Sequence, residues 1–368
     1  MLIGIDASRI AAEDKTGTEN YSYNLIKSLA KIDKSNRYVL YFNQPPQFFE
    51  IGQPNFAVKI LKAPRFWTQG RLAFECLIRP PDVLFVPAHT IPVVRRPGLT
   101  TLVTVHDLGA EFLREYHQFP QKLYLNWSTN YIAKNATHLI AVSEATKKDL
   151  MTTYKLRSST ISVVHEGVNR EAFHPCSEAE IQKVRGKYGL VRNYVLFVGT
   201  VQPRKNLVRL IEAFAKARQK NLDLVIAGSR GWLSDEIYSA PAKFGVEKPV
   251  KFLGYVDSED LPALYSGSLF LAFPSLYEGF GLPILEAMSC ETPVLTSKIG
   301  ATAEVALESA FLVDPNDTDE IATAIVKLAV NPNLREKLSQ KGRERASNFS
   351  WEKTARETLK VFEKVYKG

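Results

Sequence analysis

Cysteine is scarce in this 368-residue chain: Cys76, Cys176 and Cys290 are the three, and they lie far apart. Scattered thiols build neither a disulfide framework nor a cysteine metal site, so a reducing cytosol is the expected compartment. Long hydrophobic runs are missing too. No stretch reaches the roughly 18 apolar residues that a membrane-spanning helix needs. The opening Met1-Leu-Ile-Gly-Ile-Asp6 has no basic leader and is too short for a signal sequence, so it reads as a buried strand. Low-complexity tracts and short repeats are absent, which excludes solenoids and arrays. Without a basic-aromatic motif of a nucleic-acid module, nucleic acid is not an expected partner. No nucleophile-and-base pair stands out. The chain also reads as lacking a metal-binding acidic pair of the Asp-x-Asp kind.

What is present is ordinary in bulk: 45% apolar and 23% charged residues, as in a soluble globular protein. The length exceeds one comfortable core and predicts two domains. The net charge of +8 is unevenly spread, with 24 Lys and Arg against 17 Asp and Glu through residue 188, and 23 against 22 after it. Residues 51–100 are the most basic, seven against two. A basic surface there attracts anionic lipid headgroups or a phosphorylated acceptor, unless it is merely solvated.

Short apolar runs alternate with amphipathic stretches. Strands are expected at 2–5, 38–42, 83–86, 101–105, 138–142 and 161–164, with helices at 20–32, 124–134 and 144–154 between them. This order implies a parallel sheet with helices on both faces. Residues 170–193 are polar, hold Pro175 and a charged helical piece at 177–188, and read as a link. A second series then begins at 194–198 and continues through helices at 317–330 and 332–347. The fold class is therefore α/β, two doubly wound domains. Their expected extents are 1–175 and 176–350, with a last amphipathic helix at 351–366 after Ser350.

The most informative segment is Phe273-Pro-Ser-Leu-Tyr-Glu278-Gly279-Phe280-Gly281-Leu282-Pro283-Ile-Leu-Glu286. Gly279 and Gly281 let the backbone approach a ligand. Pro283 suits the first turn of a helix. The amides of Gly279, Phe280, Gly281 and Leu282 then stand at a helix N-terminus, where free N–H groups and the helix dipole suit a diphosphate. A carboxylate repels phosphate. Glu278 and Glu286 are therefore expected to take hydroxyls on either side of it, the donor sugar at Glu278 and the ribose at Glu286. The bland reading is a helix start with two surface glutamates.

Val198-Gly-Thr200-Val-Gln-Pro-Arg204-Lys205-Asn206 follows a strand and precedes a helix. Arg204 and Lys205 at that edge neutralise a leaving diphosphate, if they are not simply solvated. Thr16-Gly17-Thr-Glu-Asn-Tyr21 is a weaker signal, with Gly17 allowing close backbone approach to a donor. In Val105-His106-Asp107, His106 ends a strand. It either bonds a sugar hydroxyl or forms a structural His–Asp pair.

Together these segments resemble glycosyltransferase family 4, retaining enzymes of GT-B architecture, in particular bacterial mannosyltransferases of cell-surface glycan assembly. The resemblance also draws on Ala141-Val-Ser-Glu144, Gly231-Trp232, Phe252-Leu-Gly-Tyr-Val256 and Phe349-Ser-Trp351. It implies two Rossmann-like domains facing a cleft, with the last helix crossing back to the first domain. It implies donor contacts from Glu278, Glu286, Arg204 and Lys205, backbone near Tyr255 and Val256 on the base, His106 near the reacting centre, and the acceptor on the N-terminal domain. Catalytic roles thus fall to Glu278, His106, Lys205 and Arg204. Two positions depart from the family: Thr200, where many relatives carry Arg, and Glu166-Gly-Val-Asn169, where Asn-Gly-Val-Asp is common.

The implied reaction moves a hexose, mannose from GDP-mannose first, to a glycan or lipid-linked acceptor. No cofactor is expected, because the nucleotide sugar is a substrate, and no metal. UDP-glucose or another donor, or a binding protein without turnover, are the alternatives. The basic first half suggests peripheral contact with an anionic membrane surface from the cytoplasm, in lipopolysaccharide or other polysaccharide assembly.

Overall fold

The computed structural model describes all residues except 12–16, 48, 64–65, 89, 113–120 and 368. It divides the chain into two compact units. The first runs to Gly167 and resumes at Trp351; the second is Val168–Ser350. The division thus falls between Gly167 and Val168, where the sequence reading drew it after residue 175.

In the first unit seven parallel strands form one sheet: β1 (Leu2–Asp6), β2 (Arg37–Phe42), β3 (Phe56–Ile60), β4 (Val83–Val86), β5 (Thr100–Val105), β6 (His138–Ala141) and β7 (Ile161–Val163), in the order β3-β2-β1-β4-β5-β6-β7. Its helices are α1 (Gly17–Ile32), α2 (Ala73–Ile78), α3 (Gly109–Phe112), α4 (Gln121–Asn135) and α5 (Glu144–Tyr154). Every residue of β4 and β6 is buried. A parallel sheet covered on both faces demands this, and it explains why these strands read as unbroken apolar runs.

The second unit repeats the plan with α6 (Glu178–Lys187), β8 (Asn193–Val198), α7 (Leu207–Ala217), β9 (Leu222–Ala227), α8 (Asp235–Lys243), β10 (Val250–Gly254), α9 (Leu261–Ser266), β11 (Phe270–Phe273), α10 (Leu282–Ser289), β12 (Val294–Ser297), α11 (Gly300–Ala306), β13 (Phe311–Val313), α12 (Thr318–Val330) and α13 (Pro332–Ala346). Its parallel order is β10-β9-β8-β11-β12-β13. In α7, Leu207, Leu210, Ile211 and Phe214 form one buried stripe at helical spacing.

The chain then returns to the first unit as α14 (Trp351–Lys367). Trp351, Thr354, Ala355, Thr358, Val361 and Phe362 are its buried face. This face packs on α1, with Trp351 edge-on to Tyr21 at 5.9 Å, and reaches β4, with Phe362 edge-on to Phe85 at 5.3 Å. The Thr354 hydroxyl donates to the His165 carbonyl at 2.8 Å.

Both sheets reverse direction once, between β1 and β4 and between β8 and β11. In open α/β sheets such a reversal leaves a crevice beyond the carboxyl ends of the two strands, because the connections leave in opposite directions.

Candidate active site

The loops after β8 and β11 meet at the reversal of the second sheet. Glu278, from the β11 loop, accepts from Arg204 Nη1 at 2.8 Å and from Lys205 Nζ at 2.6 Å, both from the β8 loop. The trio is largely withdrawn from solvent, with side-chain exposures of 7%, 20% and 9% for Glu278, Arg204 and Lys205. Burial pushes the Glu278 carboxyl up, but the two cations outweigh it and hold the group below the usual glutamate range. Two cations thus share one carboxylate. Cations in a poorly solvated place interact strongly with an anionic ligand.

The backbone around the trio is tied down. Leu276 N–H donates to the Arg204 carbonyl at 2.9 Å, and Arg204 Nη1 also reaches the Tyr277 carbonyl at 3.1 Å. Asn206, at φ +63°, donates from Nδ2 to the carbonyls of Pro274 and Pro315. Helix α10 starts directly after this loop. Gly281 stands at its cap with φ +113°, no side chain among the described residues caps it, and Pro283 lies in the first turn. This is the helix tip expected from the sequence. A side chain at Gly228 would lie 2.0 Å from the Gly199 carbonyl oxygen, so the ends of β8 and β9 come together only because that residue is glycine.

Glu286 lies one turn into α10 and accepts from the Tyr265 hydroxyl at 2.8 Å. Burial raises its pKa to about 7. Near neutral pH this carboxyl is therefore poised between charged and neutral. The other expected donor residues are distributed as follows. Gly279, Phe280 and Gly281 are buried and Leu282 is half-buried, while Thr200 and Tyr255 are exposed and Val256 is buried. A cavity of about 650 Å³ lies beside this cluster, lined by Pro203, Asn206, Arg209 and Leu276 among others. None of the expected donor residues lines it.

One sequence reading needs correction. Asp317-Thr-Asp319 does have Asp-x-Asp spacing. In the structure Asp317 caps α12, accepting from the amides of Asp319 and Glu320, and Asp319 pairs with Lys216 at 2.9 Å. Its role here is a helix cap, for which the aspartate side chain is suited by its short reach to the first free amides.

In the first unit, His106 directly follows β5 and is buried. Its Nε2 faces the Pro87 carbonyl at 2.8 Å and its Nδ1 faces Glu166 Oε1 at 3.0 Å. A carbonyl only accepts, so Nε2 carries a proton. Burial alone depresses the imidazole pKa, but Glu166 and the Pro87 carbonyl outweigh it and hold it above its ordinary value. Asp107 does not take the ring: its Oδ1 accepts from the Gly109 amide at 3.0 Å. The partner is Glu166, which the sequence reading met only as a departure from the family pattern. A sugar hydroxyl reaching His106 at a ring nitrogen has to displace Glu166 or Pro87. Tyr21 lies edge-on to the ring at 4.7 Å. Gly17 opens α1, with nothing within 4 Å of where a side chain would stand. Thr16, from the same motif, lies outside the described residues.

Comparison with known proteins agrees with this plan. The family described as Glycosyltransferase Family 4 matches residues 15–172, and that described as Glycosyl transferases group 1 matches residues 180–345. O-antigen chain mannosyltransferase B of Escherichia coli is 32% identical over 265 residues, 71% of this chain and 69% of that protein. O-antigen chain mannosyltransferase RfbU of Salmonella typhimurium is 31% identical over 245 residues, 67% of this chain and 64% of that protein. Sucrose-phosphate synthase from Thermosynechococcus elongatus superposes with a TM-score of 0.78 at 21% identity, covering 100% of this chain and 99% of that one, a likeness of fold. With both halves of the sequence matched and paired parallel sheets built as described, the chain belongs to glycosyltransferase family 4 and has the GT-B architecture of two Rossmann-like domains.

Proposed function

We propose that this glycosyltransferase moves mannose from GDP-mannose to a glycan or lipid-linked acceptor in cell-surface polysaccharide assembly, retaining the anomeric configuration and using no metal. The observation that carries the reading is the buried sharing of Glu278 by Arg204 and Lys205 at the tip of α10. The two cations and the helix tip suit the donor diphosphate. On donor binding the two cations turn part of their charge toward the phosphates, which frees Glu278 to accept from hydroxyls of the transferred sugar. Glu286, with its raised pKa, takes the ribose.

In the step itself the bond from the anomeric carbon to the phosphate oxygen breaks, and the bond to the acceptor oxygen forms on the same face. The acceptor proton passes to the departing phosphate oxygen. Arg204 and Lys205 stabilise the charge that develops there, which is the work a metal does in other transferases. The first unit, with His106 beside its own sheet reversal, receives the acceptor. The names of the two O-antigen relatives support mannose as the sugar. The three cysteines are free thiols, which supports a reducing cytoplasm.

The test is mass-spectrometric detection of hydrolysis across a panel of nucleotide sugars, with and without a chelator. GDP-mannose is expected to be cleaved fastest, and equally with chelator present. Preference for UDP-glucose reassigns the donor. Binding without turnover on any acceptor makes the chain a binding protein. Activity lost to chelation and restored by Mg²⁺ or Mn²⁺ overturns metal independence.

A further inference from the structure

Glu166 lies in the segment after β7, 60 positions from His106, and its side chain is 6% exposed. Two contacts fix that segment. The Val164 amide donates to the Ala141 carbonyl at 3.0 Å, and Thr354 of α14 holds the His165 carbonyl at 2.8 Å. The carboxylate is thereby kept beside the residue that follows β5. Hydrogen-bond roles then set the number of protons on the ring. The Pro87 carbonyl opposite Nε2 only accepts. An ionised carboxylate opposite Nδ1 only accepts as well. A neutral imidazole has one N–H, so it would turn a lone pair toward one of these two acceptors. The ring satisfies both as an imidazolium. Burial penalises a lone charge, but two opposite charges at 3.0 Å each lower the other's cost.

The other groups around the ring do not oppose this state. Among the described residues, Asp107 from the same loop also favours the charged form. Tyr21 of α1 lies edge-on at 4.7 Å, and burial keeps its hydroxyl protonated. An asparagine at position 166, where the family pattern commonly has one, would act differently. Its amide can donate to Nδ1 of a neutral ring, so nothing would hold the second proton. We infer that Glu166 is a positioning residue that fixes His106 as an imidazolium, so that His106 brings a fixed positive charge to the site and cannot act there as a base. This role presupposes the proposed function, which places His106 in the site. With both nitrogens turned to acceptors, the ring keeps no lone pair for the proton of an acceptor hydroxyl. The departing phosphate is then left to take it.

The experiment is NMR of the full chain with labelled histidine, alongside kcat and donor KM against pH. The His106 ring is assigned by the signal that His106→Gln loses. In the parent both its nitrogens should show imidazolium shifts at pH 7. In Glu166→Gln the midpoint of the ring's titration should fall by about one pH unit or more, and Glu166→Asp should restore most of it. Above both midpoints such a fall leaves about ten-fold less imidazolium, so kcat of Glu166→Gln should drop about ten-fold there with donor KM little moved. The parent's kcat should fall as pH rises through the His106 midpoint, the opposite of what a base gives. A ring that is neutral in the parent at pH 7 overturns the inference, as does a midpoint that Glu166→Gln leaves in place. So does a parent kcat that rises or stays level through the midpoint, and in that case the donor assignment stands. Both parent measurements hold even where Glu166→Gln does not fold. A parent without turnover on any nucleotide sugar rejects the proposed function instead, and the ring titration alone then decides what Glu166 does.

Discussion

At the scale of the residue, Glu278 performs two tasks that pull against each other. It neutralises Arg204 and Lys205 when no ligand is present, and in the proposed reaction it must release them. Glu278→Gln keeps the shape and removes the charge. Breaking a buried ion pair costs about 3–5 kcal/mol, so the variant should unfold at lower urea. With the Glu278 charge gone from beside Arg204 and Lys205, GDP should then raise its melting temperature by more than it raises that of the parent, while turnover is lost. An equal shift in both proteins separates the cations from the diphosphate. Glu286 gives a test by pH. Its folded pKa of about 7 lies above its ordinary value of 4.5, so the folded state holds a proton that the unfolded state has released. Stability from this group is present below the ordinary value and falls as pH rises toward 7. Glu286→Gln does not titrate, so between about pH 5 and 8 it should gain about 2 kcal/mol on the parent in urea unfolding. No change in the difference overturns the assignment.

At the scale of the element, what the sequence disclosed follows burial. β4 and the helix α5 stand at the bounds expected from pattern, since each is a buried run or stripe between breakers. Elements that were not foreseen lack that signal. β3 is an edge strand with three exposed residues, α8 contains Pro241, α11 is built of small residues after Gly300, and β13 has three residues. Arg204, Lys205 and Glu278 were named from their own motifs, yet their ion pairing across 73 and 74 positions was not visible, because it depends on β8 and β11 being neighbours in the sheet. The same holds for His106 and Glu166, joined across 60 positions. Strand order is written in no local pattern. The tight approach of β8 and β9 yields one prediction. Gly228→Ala puts a methyl group into a backbone carbonyl, and backbone cannot swing aside as a side chain does. A loss of about 2 kcal/mol or more is expected in urea unfolding. A variant as stable as the parent contradicts this packing.

At the scale of the whole molecule, the first unit is assembled from two separate lengths of chain. Its final piece, α14, packs on α1 and buries six residues, including Trp351 and Phe362. Removing everything after Ser350 would uncover that apolar face. The truncated chain should aggregate or bind a hydrophobic dye, whereas the full chain should not. A soluble, monomeric product ending at Ser350 refutes the packing role.

The two crossings of the chain leave the second unit side by side, for the Val168 amide donates to the Phe349 carbonyl at 3.4 Å. The second unit is thus an insert, complete before the last helix of its host has been translated. During synthesis the early half must wait on the ribosome with α1 uncovered while the later half folds, so the order of translation and the order of completion are reversed.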